Sequence, residues 1–190
     1  MNQTIQDLIA KLDSRDIDKI TQARTALVQL GSSVLEPLID LLQQGSNYQI
    51  ANAVVVLGQI TDPRCVVPLI RISNHPNLIV RTNLAKALGN FDDIRAKQTL
   101  MNMLNYEHEI VQQWVIISLG RFGGSDVVTA LTQFLQINQC TTLCHIAIKV
   151  LGDIGDSQAV PYIVPFLDNE NHHVRTHANL ALSALNAKLK

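Results

Sequence analysis

The sequence predicts an all-α chain, a right-handed α-solenoid of about six helix pairs built on a 31-residue repeat. Three observations carry that prediction. Pro37, Pro68, Thr99, Ala130 and Pro161 follow one another at intervals of 31 residues. Gly31, Gly58, Gly89, Gly120 and Gly152, each preceded by leucine, make a second ladder with intervals of 27, 31, 31 and 32. Between the ladders the apolar residues recur at helical spacing. Two independent ladders in phase over five copies are not a product of chance.

The string LGQITDPRCVVPLI, starting at Leu57, organises the chain and returns as LGDIGDSQAVPYI from Leu151 and more loosely as LGNFDDIRAKQTLM from Leu88. The first pair is expected at about 4–12 and 18–30. It is polar, with Gln3, Gln6, Asp7, Lys11, Asp13, Arg15, Asp16 and Asp18, as befits an array end that meets water. The second pair, about 34–44 and 48–58, sets Leu35, Leu38, Ile39, Leu41 and Leu42 on one face before the break Gly45-Ser46-Asn47. Thr61-Asp62-Pro63 is turn chemistry, and Pro63 pre-sets a backbone angle for the first turn of the third pair, about 64–73 and 78–89. Val80, Leu84, Ala85 and Leu88 form its second apolar face. Pairs at about 94–104/109–120, 126–136/141–153 and 158–168/172–188 complete the array, and Asn186, Lys188 and Lys190 make its other polar end. Each second helix is expected to stop at its ladder glycine, where a left-handed backbone costs nothing. One pair cannot bury its own apolar face, so stacked neighbours must. The expectation is therefore one domain, 1–190, with pairs spanning about 4–30, 34–58, 64–89, 94–120, 126–153 and 158–188.

Bulk properties exclude several functions. Apolar residues make up 47%, but charged residues only 16%, which leaves an under-charged surface suited to a partner. Net charge is −1 with no basic block, which speaks against nucleic acid. The start MNQTIQDLIAKLDS lacks a signal-peptide pattern, and no apolar stretch is read as long enough for a membrane span. Three cysteines without framework spacing fit reduced thiols in a cytoplasmic setting.

Val80-Arg81-Thr82 through Ala87-Leu88-Gly89 matches Val174-Arg175-Thr176 through Ala181-Leu182-Ser183. This Val-Arg start, Ala-Leu-Gly end and following Ala-Val-Pro-Leu-Ile-type string resemble a HEAT-like repeat, in the short form named after the phycobilisome lyases. The resemblance covers nearly the whole chain. It implies a phycobilin lyase of the E/F type: a subunit that works with a second HEAT-like lyase subunit, holds a phycocyanobilin-type bilin, and presents it to a phycobiliprotein subunit. No tightly bound cofactor is expected. A non-catalytic adaptor or scaffold, for phycobilisome turnover or general protein–protein interaction, is the alternative. Whether the chain is an enzyme stays open; if it is, it is a lyase subunit acting with a partner, whose catalytic residues the sequence does not identify.

Within that frame, Arg81 and Arg175 stand eight residues before the glycine position, where Ile50, Gln112 and Cys144 stand in other repeats. In HEAT-like repeats such an arginine pairs with a turn aspartate of a neighbouring repeat, a structural ladder; the alternative is a grip on ligand propionates. Two rows of the second helices should face the concave side. Six before the glycine stand Thr25, Asn52, Asn83, Trp114, Ile146 and His177; three before it stand Val28, Val55, Lys86, Ile117, Lys149 and Leu180. Asn52, Asn83, Lys86, Trp114, Ile117, Lys149 and His177 are the candidate ligand or partner contacts, with an apolar and aromatic floor and cations for two carboxylates. A slight helix rotation would instead bury Trp114 and Ile117. Cys140/Cys144 and His173/His177 have i, i+4 spacing, but neither completes a metal site, so no metal is expected. His108-Glu109 is a single dipeptide where deoxyhypusine hydroxylase, another HEAT-like protein, needs several, and that enzyme is rejected.

Overall fold

The computed structural model describes residues 3–105, 107–138 and 143–188. Among them are twelve α-helices, four 3-10 segments and no strand. The chain forms two compact units, Met1–Thr99 and Leu100–Lys190.

The first unit contains α1 (Gln3–Lys11), α2 (Ile17–Leu30), α3 (Leu35–Gln44), α4 (Asn47–Ile60), α5 (Val66–Arg71) and α6 (Leu78–Leu88), then the start of α7 (Ile94–Leu104). Second helices stack on second helices, α2 on α4 and α4 on α6, while α3 meets α5. Leu27, Leu38, Leu57, Leu69, Leu84 and Leu88 are fully enclosed between these layers. The run Ile17–Gln44 is the one helical stretch among the described residues that is long and apolar enough to cross a membrane by length and composition. It is broken at Gly31 (φ 57°), and it directs Ala23, Leu27, Leu35, Leu38 and Leu42 into the core, as paired repeat helices do.

The second unit holds the end of α7, then α8 (Glu109–Phe122), α9 (Ser125–Ile137), α10 (Cys144–Ile154), α11 (Val160–Ile163) and α12 (His172–Lys188). Here α8 stacks on α10 and α10 on α12. Leu119, Leu131, Phe134, Leu151 and Ile163 fill the core. The segment read as one helix over 158–168 is a short α-helix between two 3-10 segments, Ser157–Ala159 and Val164–Asp168. Pro165 lacks the N–H that would continue the α ladder, and the chain tightens there.

Helix starts follow the repeat. Asp16, Asn77 and Asn171 accept hydrogen bonds from backbone N–H groups of the turn they open, and Ser46 with Gln49 makes a capping box. His108 does the same through Nδ1, which accepts from the Ile110 N–H. That explains the His108-Glu109 dipeptide as a helix cap.

Helix ends follow the ladder glycine at α2 and α6, which close at Gly31 and Gly89, and depart from it in the other three repeats. The ladder glycines Gly58, Gly120 and Gly152 lie inside α4, α8 and α10, not at their ends. A Cβ on Gly58 would come within 2.5 Å of the Ala87 Cβ, and one on Gly152 within 2.7 Å of the Ala181 Cβ. These glycines are contact points where the next second helix presses on the backbone. The left-handed stop comes three residues later, at Thr61 (φ 56°), Gly123 (φ 59°) and Gly155 (φ 82°). The sequence contains a glycine for either reason, and only packing tells them apart.

Turns into the first helices are held by charge. Asp62 accepts two hydrogen bonds from the Arg64 guanidinium, at 2.9 and 2.8 Å, and one from Ser32 Oγ. Asp93 and Arg95, one repeat on, form the same fork at 3.0 and 2.6 Å. The guanidinium of Arg64, helped by its backbone N–H, holds the Asp62 carboxyl well below the usual carboxylate range. Arg95 lowers Asp93 in the same way. Burial pushes the neighbouring Cys65 thiol up to about 11, which makes it a packed, unreactive group.

Candidate functional site

The position eight before the ladder glycine has one job in four repeats. Arg81 donates to the carbonyls of His75 and Pro76 at 2.7 and 3.1 Å, and Arg175 to those of Asn169 and Glu170 at 2.7 and 2.8 Å. Gln112 donates to the Leu104 carbonyl at 2.8 Å, and the Cys144 thiol to that of Asn138 at 2.7 Å. Each side chain clasps the loop that leads into its own helix. The sequence led to an aspartate on a neighbouring turn; the described bonds run to main-chain oxygens, which a helix start and its loop leave in need of donors. Cys144 is buried, and Cys140, four residues before it, lies outside the described residues. Among the described residues no three His, Cys, Asp or Glu side chains converge on one point.

In the first unit the row six before the glycine also works as a tie. Asn52 donates to the carbonyls of Leu12 and Tyr48, both at 2.9 Å, and Asn83 to that of Ala51 at 3.1 Å. Asn90 reaches the Gly58 carbonyl at 2.9 Å. Lys86 is half-buried on α6. Asn52 and Asn83, read as ligand contacts, thus spend their amides on the preceding repeat.

The second unit is different. An open cleft of about 600 Å³ lies between α8, α10 and α12. Its apolar lining is Ile117, Ile146 and Val150, and its polar lining Arg121, His145, Lys149, Asp153, His173 and His177. Lys149 Nζ pairs with Asp153 Oδ2 at 2.6 Å. The His145 and His177 rings stand 5.4 Å apart between centroids, and His177 Nδ1 meets the His173 carbonyl at 2.7 Å. A carbonyl only accepts, so Nδ1 carries the hydrogen. Gly120 packs closely on α10 here: a Cβ would come within 2.8 Å of Val150 Cγ1.

Three predicted contacts, Ile117, Lys149 and His177, meet in this cleft. Trp114 sits one turn earlier on α8, half-buried and outside the lining; Ile117 is also half-buried, so neither is lost to the core. Asn52, Asn83 and Lys86 belong to the first unit and line no part of it. Arg121, His145 and Asp153 were not predicted, and His173 was weighed only with His177 as an incomplete metal pair. Arg121 and Asp153 stand one after the glycine and His173 ten before its position, so they extend the same helix stripe by one turn at either end. Following that stripe further would have found them.

Comparison with known proteins agrees with the fold. Residues 66–140 match the family model for HEAT repeats, and residues 143–169 match that for the PBS lyase HEAT-like repeat. No curated protein sequence matches the chain. A designed armadillo repeat protein in complex with the peptide (KR)4 is similar in structure, with a TM-score of 0.66 and 17% identity over 97% of this chain and 100% of that one. The complex of CpcE and CpcF of phycocyanin lyase from Nostoc sp. PCC7120 is similar at a TM-score of 0.58 and 21% identity, over 94% of this chain and 98% of that one. At these identities the likeness is one of fold. The chain thus carries HEAT repeats over 66–140 and a repeat matching the PBS lyase HEAT-like model over 143–169.

Proposed function

We propose that the chain is a binding subunit of the phycobilin-lyase type, which positions a bilin, a phycobiliprotein subunit or both. The observation that carries the reading is the cleft between α8, α10 and α12. Its volume of about 600 Å³ falls in the range of small-molecule sites, and Ile117, Ile146 and Val150 line it together with Arg121 and Lys149. A linear tetrapyrrole has this character: a flat apolar body with two carboxylates. Trp114, one turn from Ile117, would extend the apolar floor. Asn52, Asn83 and Lys86 would serve as partner contacts on the first unit.

In this proposal the chain works as one continuous array, in the cytoplasm, beside a second HEAT-like subunit. Its contribution is positioning: it holds the bilin's reactive group near a partner's thiol and keeps water away. The test is to mix the protein with phycocyanobilin, alone and with a second HEAT-like subunit, and to record absorption and fluorescence. A red shift that Lys149→Ala weakens is expected. No spectral change in either mixture would remove the bilin reading.

A second reading, a non-catalytic adaptor, is favoured by a patch on the first unit. Tyr48 and Ile79 are 58% and 57% exposed, and with Ser46, Asn47, Ala51 and Asn77 they edge a smaller hollow of about 300 Å³. In that case immobilised protein recovers phycobiliprotein subunits without bilin transfer, and Tyr48→Asp abolishes the recovery. Bilin transfer that Tyr48→Asp leaves intact would remove the adaptor reading.

A further inference from the structure

We infer that the cleft between α8, α10 and α12 takes up an apolar anion together with protons, and that the His145–His177 pair sets this coupling. The inference rests on the reading of the cleft as a ligand site, not on the ligand being a bilin.

The charges around the pair can be followed element by element. On α10, Lys149 and Asp153 are joined at 2.6 Å and largely cancel. On α8, Arg121 is the standing cation of the cleft wall. On α12, His173 lines the cleft, His172 stands 6.1 Å from it ring to ring, and Arg175 is turned onto the loop carbonyls. Asp168, on the 3-10 segment packed against α12, and Asp126, on α9 beside α10, are exposed and line no part of the cleft. α11 carries no charged side chain. Nearly all the adjustable charge is therefore imidazole.

Imidazole is the side chain that changes charge between about pH 5 and 8. With His145 and His177 neutral, neither ring adds charge to that of Arg121 and the Lys149–Asp153 pair. Two protonated rings 5.4 Å apart repel each other unless an anion lies against both. An anion in the cleft therefore favours protonation, and by linkage protonation favours the anion equally. The hydrogen bond from His177 Nδ1 to the His173 carbonyl leaves Nε2 as the atom that gains the proton. The flanking Ile117, Ile146 and Val150 restrict the ligand class to anions with an apolar body.

The probe is 8-anilinonaphthalene-1-sulfonate, an apolar aromatic anion whose own charge is constant across this range. Fluorescence titrations at pH 6 and pH 8 compare the native chain with His145→Gln/His177→Gln and with a control, His172→Gln; circular dichroism checks that the helices persist. Affinity about tenfold higher at pH 6 is expected, with the difference kept in the control and lost in the double variant. If the double variant fails to fold, imidazole titration by NMR replaces it: both ring signals should titrate at higher pH when the probe saturates the protein. No probe binding, equal affinity at both pH values, a pH effect that survives in the double variant, or ring titrations unmoved by the probe would overturn the inference. A pH-dependent probe site without any phycocyanobilin signal would sink the bilin reading alone. A bilin signal with a flat probe response would sink the inference alone.

Discussion

The two units use the same row of the second helix in opposite ways. In residues 1–99 the position six before the ladder glycine holds Thr25, Asn52 and Asn83, and the two amides bind main-chain oxygens of the preceding repeat. In residues 100–190 it holds Trp114, Ile146 and His177, of which the last two line the cleft. The first unit adds Asn90 on the Gly58 carbonyl and Ser32 on Asp62. Amides that span the gap between repeats close a face; aliphatic and imidazole groups in the same register leave it open. Function in such an array follows from which side chains are released from holding it together.

The largest effect should be common to both units and so test what they share. Gly58→Val and Gly152→Val each drive a branched side chain into an alanine of the next second helix. Each should cost roughly 3 kcal/mol, seen as a lower urea midpoint. A cost confined to one variant would show that the contact matters in only one unit.

The contrast itself is tested by Asn83→Ala against His177→Ala. The first strips a donor from the Ala51 carbonyl and should cost about 1–2 kcal/mol in thermal or urea unfolding. The second touches an open cleft and should move stability by less than about 0.5 kcal/mol while weakening anion binding. Equal losses of stability would erase the distinction drawn between the units.

The Asp–Arg forks described at Asp62 and Asp93 both lie in the first unit. Their carboxyls are held low in the folded chain by Arg64 and Arg95, so their contribution is complete above the unfolded carboxyl range, near pH 4, and declines as pH falls below it. Asp62→Asn should therefore lower the melting temperature at pH 7 and converge on the native chain toward pH 2. A constant gap across that range would contradict the role of the charge.

Smallest, and opposite in sign, is Thr61→Gly. Thr61 is the sole non-glycine residue with positive φ among the described residues, at a place where Gly123 and Gly155 stand in the other unit. Glycine there should stabilise by about 1 kcal/mol, read as a modest rise in melting temperature. No gain would mean that the Thr61 hydroxyl, bonded to the Ile60 carbonyl, offsets the backbone strain.

The sequence reveals the helix pairs readily because their signals are local: apolar period, cap residues and turn strings, each repeated. The site is less legible. Ile117, Lys149 and His177 were found by counting back from a glycine, whereas Arg121, Asp153 and His173 lie on the same stripe one turn further along. His145 is adjacent to the stripe and enters because α12 brings His177 to it. Glycine misled for a physical reason. Its missing side chain serves both a left-handed stop and a close helix contact, and the contact needs a partner such as Ala87 that lies far along the chain.

The clasp eight residues before the glycine has one more consequence. Arginine, glutamine and cysteine all perform it, reaching carbonyls five to eight residues back. Where the clasp is made, it uses a hydrogen to give, not a charge or a shape. Loops of different length and composition can therefore be exchanged between repeats while the helices keep their places, so the array can acquire new recognition loops without redesign of its frame.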